Sequence, residues 1–137
     1  MSQARNKSST KSTARFRTDL PQADFELEFF GRVLERHPTY VDVLRRQAEL
    51  LARKGCFEQS LELDHRLVEL EPANCIVRYN LACSLARLGK TQESLTALKQ
   101  AIQLGYDDFS HLESDPDLAA LHGTPAFQAL LRKKRRK

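Results

Sequence analysis

The chain has 137 residues and a formal net charge of +4, but this charge is unevenly distributed. Residues 1–20 carry five basic side chains and one acidic side chain, and residues 132–137 are six consecutive Arg or Lys. Between them lie 11 basic and 17 acidic residues, so the central part is acidic and the high pI comes from the ends. This distribution argues against a domain that binds nucleic acid with its whole surface. No run reaches the roughly 18 apolar residues of a membrane span, so we expect no membrane partner.

Residues 1–20 are rich in Ser, Thr, Lys and Arg and poor in apolar residues. Such a segment cannot bury enough apolar surface to offset its ordering entropy, which predicts a disordered basic arm. It has no apolar core of a secretory signal. Up to residue 18 it is Ser/Arg-rich and free of acids, as organelle transit peptides are, but its apolar residues are too sparse for an amphipathic helix. We interpret it as a solubilising or binding arm, with organelle targeting as the less favoured alternative.

Apolar residues at helical spacing predict a series of helices from residue 22 onward. The first covers 22–36, and Pro38 follows it. It stands in the place of the second helix of a pair, so we expect a half unit at this end. The next apolar stripes predict helices over 40–54 and 75–88, each followed by a second helix. Short loops between them make neighbouring helices antiparallel.

The ends of these helices carry recognisable stop and start signals. Gly55 and Gly89 suit the left-handed position after the first helix of each pair. Thr91 is predicted to be the N-cap of the following helix. Leu51 and Leu85 are predicted to be buried where the two helices of each pair meet. On the face away from the apolar stripe we place Ala52 and Ala86, among others.

The third unit is predicted to be irregular because Pro116 falls inside its first helix and should break it. Asp115-Pro116 and Thr124-Pro125 each resemble an N-cap followed by proline at the first helical position. The prediction is a short helix, a second short helix to about His122, and a last helix. Such a degenerate unit is expected at the end of a stacked array, where it caps the core.

Glycines and prolines recur along the chain at a period of 34 residues, as in Gly55, Gly89 and Gly123. Between 41–71 and 75–105, nine of 31 positions are identical, against about two expected by chance. This pattern resembles the tetratricopeptide repeat (TPR) over about 21–131. The resemblance implies an all-α, short tetratricopeptide-like array of helical hairpins, an α-solenoid. Its units are expected at about 41–74 and 75–108, with a half unit before and a degenerate unit after them.

The resemblance also implies a site, because in this family the first helices of successive units line a concave groove that takes a partner peptide or helix. The candidate groove residues are Arg45, Glu49, Arg53, Tyr79, Asn80, Cys83 and Arg87. The three arginines would favour an acidic or C-terminal carboxylate ligand. The alternative is a solvated face of mixed charge with no ligand.

The C-terminal basic run supports a different kind of partner. Its candidate phosphate-contacting residues are Arg132, Lys133, Lys134, Arg135, Arg136 and Lys137. Such runs mark nuclear import or nucleic-acid contact, or they form a solvated helix end whose cations favour the helix dipole. No aromatic residue interleaves the run, so any contact should be to phosphates and carry no sequence information.

Nothing in the sequence indicates catalysis. The four histidines are far apart, and no phosphate-binding glycine motif or nucleophile elbow is present. The three cysteines, Cys56, Cys75 and Cys83, lack zinc-ligand spacing and are expected to be free thiols in a reducing compartment. We therefore expect no cofactor, no metal and no enzymatic activity.

The sequence thus predicts a non-enzymatic protein–protein interaction module in the cytoplasm, or in the nucleus of a eukaryote. Its parts are a disordered arm (1–20), a helical domain (21–131) and a basic tail (132–137). The alternative function is a nucleic-acid- or ribosome-associated accessory protein that binds through its basic ends. Self-association through the exposed ends of the array stays open.

Overall fold

The structure is a computed structural model that describes residues 22–135, with side chains to residue 132. Within this range every regular element is a helix, which confirms the predicted all-α class. The helices are α1 (Gln22–Arg36), α2 (Val41–Arg53), α3 (Phe57–Leu70), α4 (Cys75–Arg87), α5 (Thr91–Gln103), α6 (Phe109–Ser114), α7 (Ala119–His122) and α8 (Pro125–Arg135), with a 3-10 turn at Pro116–Leu118 between α6 and α7. None of the described helices is long and apolar enough to cross a membrane.

From α1 to α5, helices that follow one another in sequence pack against one another in space. The pairs α2–α3 and α4–α5 form two helical hairpins, and α3 packs against α4 to join them. α1 packs on α2 as a half unit, and α7 and the 3-10 turn pack on α4. This arrangement is the predicted array of helical hairpins, because each short loop returns the chain alongside the preceding helix.

The two hairpin turns have the same hydrogen bonds. Gly55 and Gly89 have φ values of 81° and 77°, in the left-handed region that favours glycine. After the first, the amide of Cys56 donates to the carbonyl of Leu51 at 2.9 Å, and after the second Lys90 donates to Leu85 at 2.9 Å. These bonds satisfy carbonyls that a helix end leaves without partners, as in a Schellman motif. The 34-residue period thus recurs as one repeated turn.

Two of the three N-caps predicted from the sequence are present in the structure. Asp115 accepts from the amide of Asp117 at 2.9 Å, and the Thr124 hydroxyl accepts from the amide of Phe127 at 3.2 Å. The prediction for Thr91 was wrong: Lys90 occupies the N-cap position and no side chain caps the helix. The tight turn at Gly89 places the helix start directly after it, so Thr91 is already the first helical residue.

The core confirms Leu85, which is 2% exposed. Leu51 packs against the core cluster around Leu44, as predicted, but its side chain is only partly buried. Leu85 lies in a cluster that reaches from α4 and α5 into the third unit. Among the described residues, α1 alone packs on the outer side of α2, and α1 has no buried residue. Because only a half unit covers the first hairpin, the end of α2 is less well shielded from solvent.

The third unit has the predicted irregular form. Its two short helices and the 3-10 turn bury Leu112, Leu118 and Leu121, and α8 buries Phe127. All four side chains belong to the cluster that also contains Leu85. This unit therefore covers the apolar end of the second hairpin, as a cap on a stacked array should.

Candidate functional site

A cleft of about 840 Å³ lies along the exposed face of α2 and α4 and reaches the start of the third unit. We call it the groove. All seven groove candidates from the sequence line it, namely Arg45, Glu49, Arg53, Tyr79, Asn80, Cys83 and Arg87. Ala52 also lines it. The prediction that Ala86 lies on this face was wrong, because its side chain is 4% exposed and belongs to the core cluster.

The arginines of α2 are already paired with carboxylates of the same helix or its neighbour. Arg45 lies 3.4 Å from Asp42, and Arg53 lies 3.1 Å from Glu49. Arg46, which the sequence did not single out, contacts Glu26 of α1 at 2.9 Å. Each cation on this side of the groove therefore has an internal counter-charge.

Arg87 of α4 is held in the same way and also joins the two hairpins. Its guanidinium lies 3.1 Å from the Asp117 carboxylate and 4.6 Å from the centre of the Phe57 ring. The first contact ties α4 to the third unit, and the second ties it to the start of α3. Four arginines and five carboxylic acids line the groove, so its wall is balanced rather than basic.

The side of the groove nearest α3 contains a carboxyl group that sequence reasoning missed. Asp64 is 2% exposed, and its Oδ2 accepts a hydrogen bond from the Ser84 hydroxyl at 2.7 Å. Burial raises its pKa to about 6, and the bond from Ser84 opposes this shift. A signal was present in the repeat, since Asp64 stands 34 residues before Leu98, which is fully buried.

The other end of the groove is organised around the buried carboxylate of Asp115. The Tyr79 hydroxyl donates to its Oδ2 at 2.5 Å, and the Nε2 of His111 lies 3.3 Å from the same oxygen. The Tyr79 ring stacks on Tyr106, with centroids 4.4 Å apart and an angle of 10° between planes. Burial, and then the bond to Asp115, raise the pKa of Tyr79, so its hydroxyl stays a proton donor. The sequence named Asp115 only as a helix cap.

Cys83 lies beside this cluster, with its sulfur 3.7 Å from Asp115 Oδ2. Burial and the Asp115 charge raise the pKa of the Cys83 thiol, which keeps it protonated and weakly nucleophilic at neutral pH. Cys83, Asp115 and Asp117 bring three potential metal-ligand atoms within 4.8 Å of one another. Because Asp115 accepts from Tyr79 and Asp117 pairs with Arg87, we assign these carboxylates to the fold.

The basic run lies at the end of the described chain. Arg132 is exposed on α8, which continues to Arg135. The side chains of the other candidate phosphate contacts lie outside the described residues, and these are Lys133, Lys134, Arg135, Arg136 and Lys137. The predicted disordered arm, residues 1–20, also lies outside them.

Comparison with known proteins supports the fold most directly. No family model matches the chain. The solved structure of a MamA RS-1 ArsTM double mutant superposes with a TM-score of 0.61 at 16% identity, covering 87% of this chain and 71% of that one. MamA is a tetratricopeptide-like solenoid, so this likeness confirms the predicted fold class.

A relative by sequence is a chloroplastic protein of Arabidopsis thaliana, which is 32% identical over 90 residues. The match covers 64% of this chain but only 27% of that protein. The chain therefore spans about a quarter of the length of this curated relative. The likeness covers 90 residues and leaves the rest of that protein without a counterpart here.

Proposed function

We propose that this protein is a non-enzymatic interaction module that holds a segment of a partner protein in the groove. The observation that carries this proposal is the cleft of about 840 Å³, with walls from two packed hairpins. Side chains on rigid helices keep fixed spacings, which lowers the entropy cost of binding a ligand in one register. Exposed polar groups such as Asn80 and Glu49 can bond to a peptide backbone.

The arginines alone do not determine the charge of the ligand, because each of them is already paired with a carboxylate. A ligand carboxylate at Arg53 must compete with Glu49, and one at Arg87 must compete with Asp117. Exposed ion pairs of this kind contribute little stability, so exchange of partners is energetically accessible. An acidic or C-terminal carboxylate ligand therefore stays a prediction, and its support is the position of the arginines along the groove wall.

Site-specific photo-crosslinking tests the groove. A benzophenone amino acid at Asn80 stands in the groove, and the same probe at Glu62 stands exposed on α3 outside it. After irradiation in extract of the source cells, the Asn80 probe should give discrete crosslinked products that an excess of unlabelled protein reduces. The Glu62 probe should give none of them. Equal patterns from both probes would reject the groove as the binding site.

A second candidate function is phosphate binding by the basic run, and the observation that favours it is six adjacent cations in the sequence, of which the first, Arg132, is exposed on α8. Such a run can neutralise several phosphates without contact to bases. In this role the helical domain would be a carrier, and the ligand would be RNA, DNA or a ribosome surface. A salt titration, developed in the Discussion, separates this function from groove binding.

The compartment is also a proposal. We place the protein in the cytoplasm, with the nucleus as the alternative in a eukaryote. The Arabidopsis thaliana relative is named as chloroplastic, and residues 1–18 share the Ser/Arg-rich, acid-poor composition of transit peptides. Fusing residues 1–21 to a fluorescent protein would test targeting, since import into an organelle would reject the cytoplasmic assignment.

A further inference from the structure

Asp64 is a buried carboxyl group that pairs with no cation of the described residues. Its one hydrogen bond within the described residues comes from Ser84. Among described side chains, no Lys, Arg or His forms an ion pair with it. Buried carboxylates are normally paired, because removing a charge from water costs free energy that one neutral hydrogen bond does not return. The raised pKa of Asp64 reflects this uncompensated burial.

This carboxyl group borders the groove rather than a closed core. Asp64 lines the cleft together with small side chains from three helices, which are Ala48 of α2, Ser60 of α3 and Ser84 of α4. These side chains are at most 5% exposed, and their small size presents the least steric obstacle to a slender ligand chain that approaches Asp64 from the cleft. A second polar group stands close by, since the Ser60 and Ser84 hydroxyl oxygens are 3.4 Å apart.

None of the arginines of the groove wall forms an ion pair with Asp64. Arg45, Arg46, Arg53 and Arg87 each contact another carboxylate, as described above. The one charge-bearing group of this part of the groove that lacks an opposite charge among the described residues is therefore an acid. Charge complementarity then favours a cationic group on the ligand.

We propose that Asp64 is the anchor for a lysine side chain of a partner peptide bound in the groove. Lysine has an unbranched stem and a compact ammonium group with three donors, which suits a narrow site between small residues better than the planar guanidinium of arginine. The ammonium would donate to the Asp64 carboxylate and to the oxygen of Ser60 or Ser84. This inference rests on the proposed function and specifies what the groove selects.

A lysine anchor would explain why a buried carboxyl group stands at Asp64, where it lowers the stability of the free protein. An apolar side chain at this position would be the simpler solution, as Leu98 shows in the second hairpin, where it is 0% exposed. A carboxylate that lowers stability in the free protein and is neutralised on binding is a common arrangement at binding sites. The carboxylate thus lowers the stability of the free protein and makes the groove selective for a cationic ligand.

A positional-scanning library of short synthetic peptides, applied to the immobilised full chain, tests the anchor. Peptides retained by the native protein should be enriched in lysine at one position, over glutamate and over norleucine. Asp64→Asn keeps an acceptor for Ser84 and removes the charge, so it should weaken the lysine peptides at least about tenfold. Glu62→Gln on the exposed side of the same helix is the matched control and should leave binding unchanged.

A second measurement avoids any change to the protein. The enriched peptide is synthesised with acetyl-lysine at the selected position, which keeps the lysine stem and removes the charge. It should bind the native chain at least about tenfold more weakly. Equal binding of both peptides, or lysine preference that persists in Asp64→Asn, would overturn the anchor while leaving the groove intact. Retention of no peptide by the native protein would reject the groove itself, and with it both proposals.

Discussion

The hydroxyl of Ser94 donates a hydrogen bond to the carbonyl oxygen of Ala82 at 2.7 Å, inside the second helical hairpin. The same bond recurs 34 residues earlier, where Ser60 donates to Ala48 at 3.0 Å. All four residues are buried. Each serine hydroxyl therefore adds a hydrogen bond between the two helices of its hairpin.

Replacing Ser94 by alanine should therefore lower the free energy of unfolding by about 1 kcal/mol, the usual net contribution of a neutral hydrogen bond. The cost stays modest because alanine fits the same space and the Ala82 carbonyl remains within its helix. Urea unfolding followed by circular dichroism measures the difference. Ser110→Ala, at an exposed position, is the control and should change stability by less than about 0.5 kcal/mol. Equal effects would show that the buried bond contributes nothing.

Truncation of Leu85 to alanine should cost more than truncation of Leu51. Leu85 is 2% exposed and contacts the cluster shared with the third unit, so we expect a loss of about 2–5 kcal/mol. Leu51 is only partly buried and should cost about 1–2 kcal/mol. A short array has little stability to spare, so Leu85→Ala can unfold it entirely. Thermal melts of both variants test the order, and a larger loss from Leu51→Ala would contradict the packing described here.

The contrast between these leucines shows what the repeat pattern can predict. Periodicity and glycine spacing depend on local chain geometry, so the helices, the Gly55 and Gly89 turns and the irregular third unit were all predicted. Burial at the ends of an array depends on which elements cover it, so Leu51 packs against the core but is less buried than predicted. The prediction that Ala86 lies on the groove face was wrong for a related reason. The core cluster that buries it extends from its own hairpin into the third unit.

The groove was predicted less completely than the fold. The resemblance to the tetratricopeptide repeat placed the groove on the first helices of successive units, and helical spacing then gave the seven candidates on single helices. Asp64 lies on α3, the second helix of its hairpin, and becomes part of the groove only through its contact with Ser84, 20 residues away. The ion pair of Arg87 with Asp117 spans 30 residues and also depends on tertiary packing. Pairings of this kind have no period in the sequence, so their charge balance could not be anticipated.

Asp64 should make the protein less stable as the pH rises through weakly acidic values. Its pKa is ordinarily 3.8 and is about 6 in the folded protein, so the native state binds this proton more tightly than the unfolded chain. Its contribution favours folding at low pH and is lost between about pH 4 and pH 6, by about 2–3 kcal/mol. Other groups titrate in this range, so the comparison must be with Asp64→Asn.

Urea unfolding of the native protein and of Asp64→Asn at several pH values isolates this contribution. The asparagine variant should be the more stable protein at pH 7, because it retains an acceptor for Ser84 and carries no buried charge. The difference in unfolding free energy between the two proteins should shrink as the pH falls toward 4. A difference that is independent of pH would show that folding does not raise the pKa of Asp64.

Charge reversal of Arg45, Arg53 and Arg87 to glutamate should abolish capture of an acidic partner and leave the helical content unchanged. These arginines form exposed ion pairs, each of which contributes about 0–1 kcal/mol, so the fold should survive their loss. Pull-down and circular dichroism on the same preparation measure both effects. Glu62→Lys, outside the groove, is the control. Equal loss of capture by the control would mean that the groove wall does not select the ligand.

The basic run at 132–137 should bind duplex DNA or RNA through phosphates alone. With six contacts, the slope of log affinity against log salt on DNA should be about −5, which is roughly a thousandfold loss between 50 and 200 mM salt. The acidic body opposes this binding, so the measured slope can be shallower. Fluorescence anisotropy with labelled oligonucleotides of two unrelated sequences measures both the slope and the predicted lack of sequence preference.

Deletions decide which end of the chain carries that affinity. Removing 132–137 takes away six adjacent cations and should eliminate most of the binding. Removing 1–20 should weaken it less, because five basic residues spread over that length neutralise fewer neighbouring phosphates at once. Affinity that survives loss of the run, or that does not respond to salt, would identify the run as a solvated helix end. Groove binding would then be the function that remains, because none of its contacts depends on residues beyond Asp117.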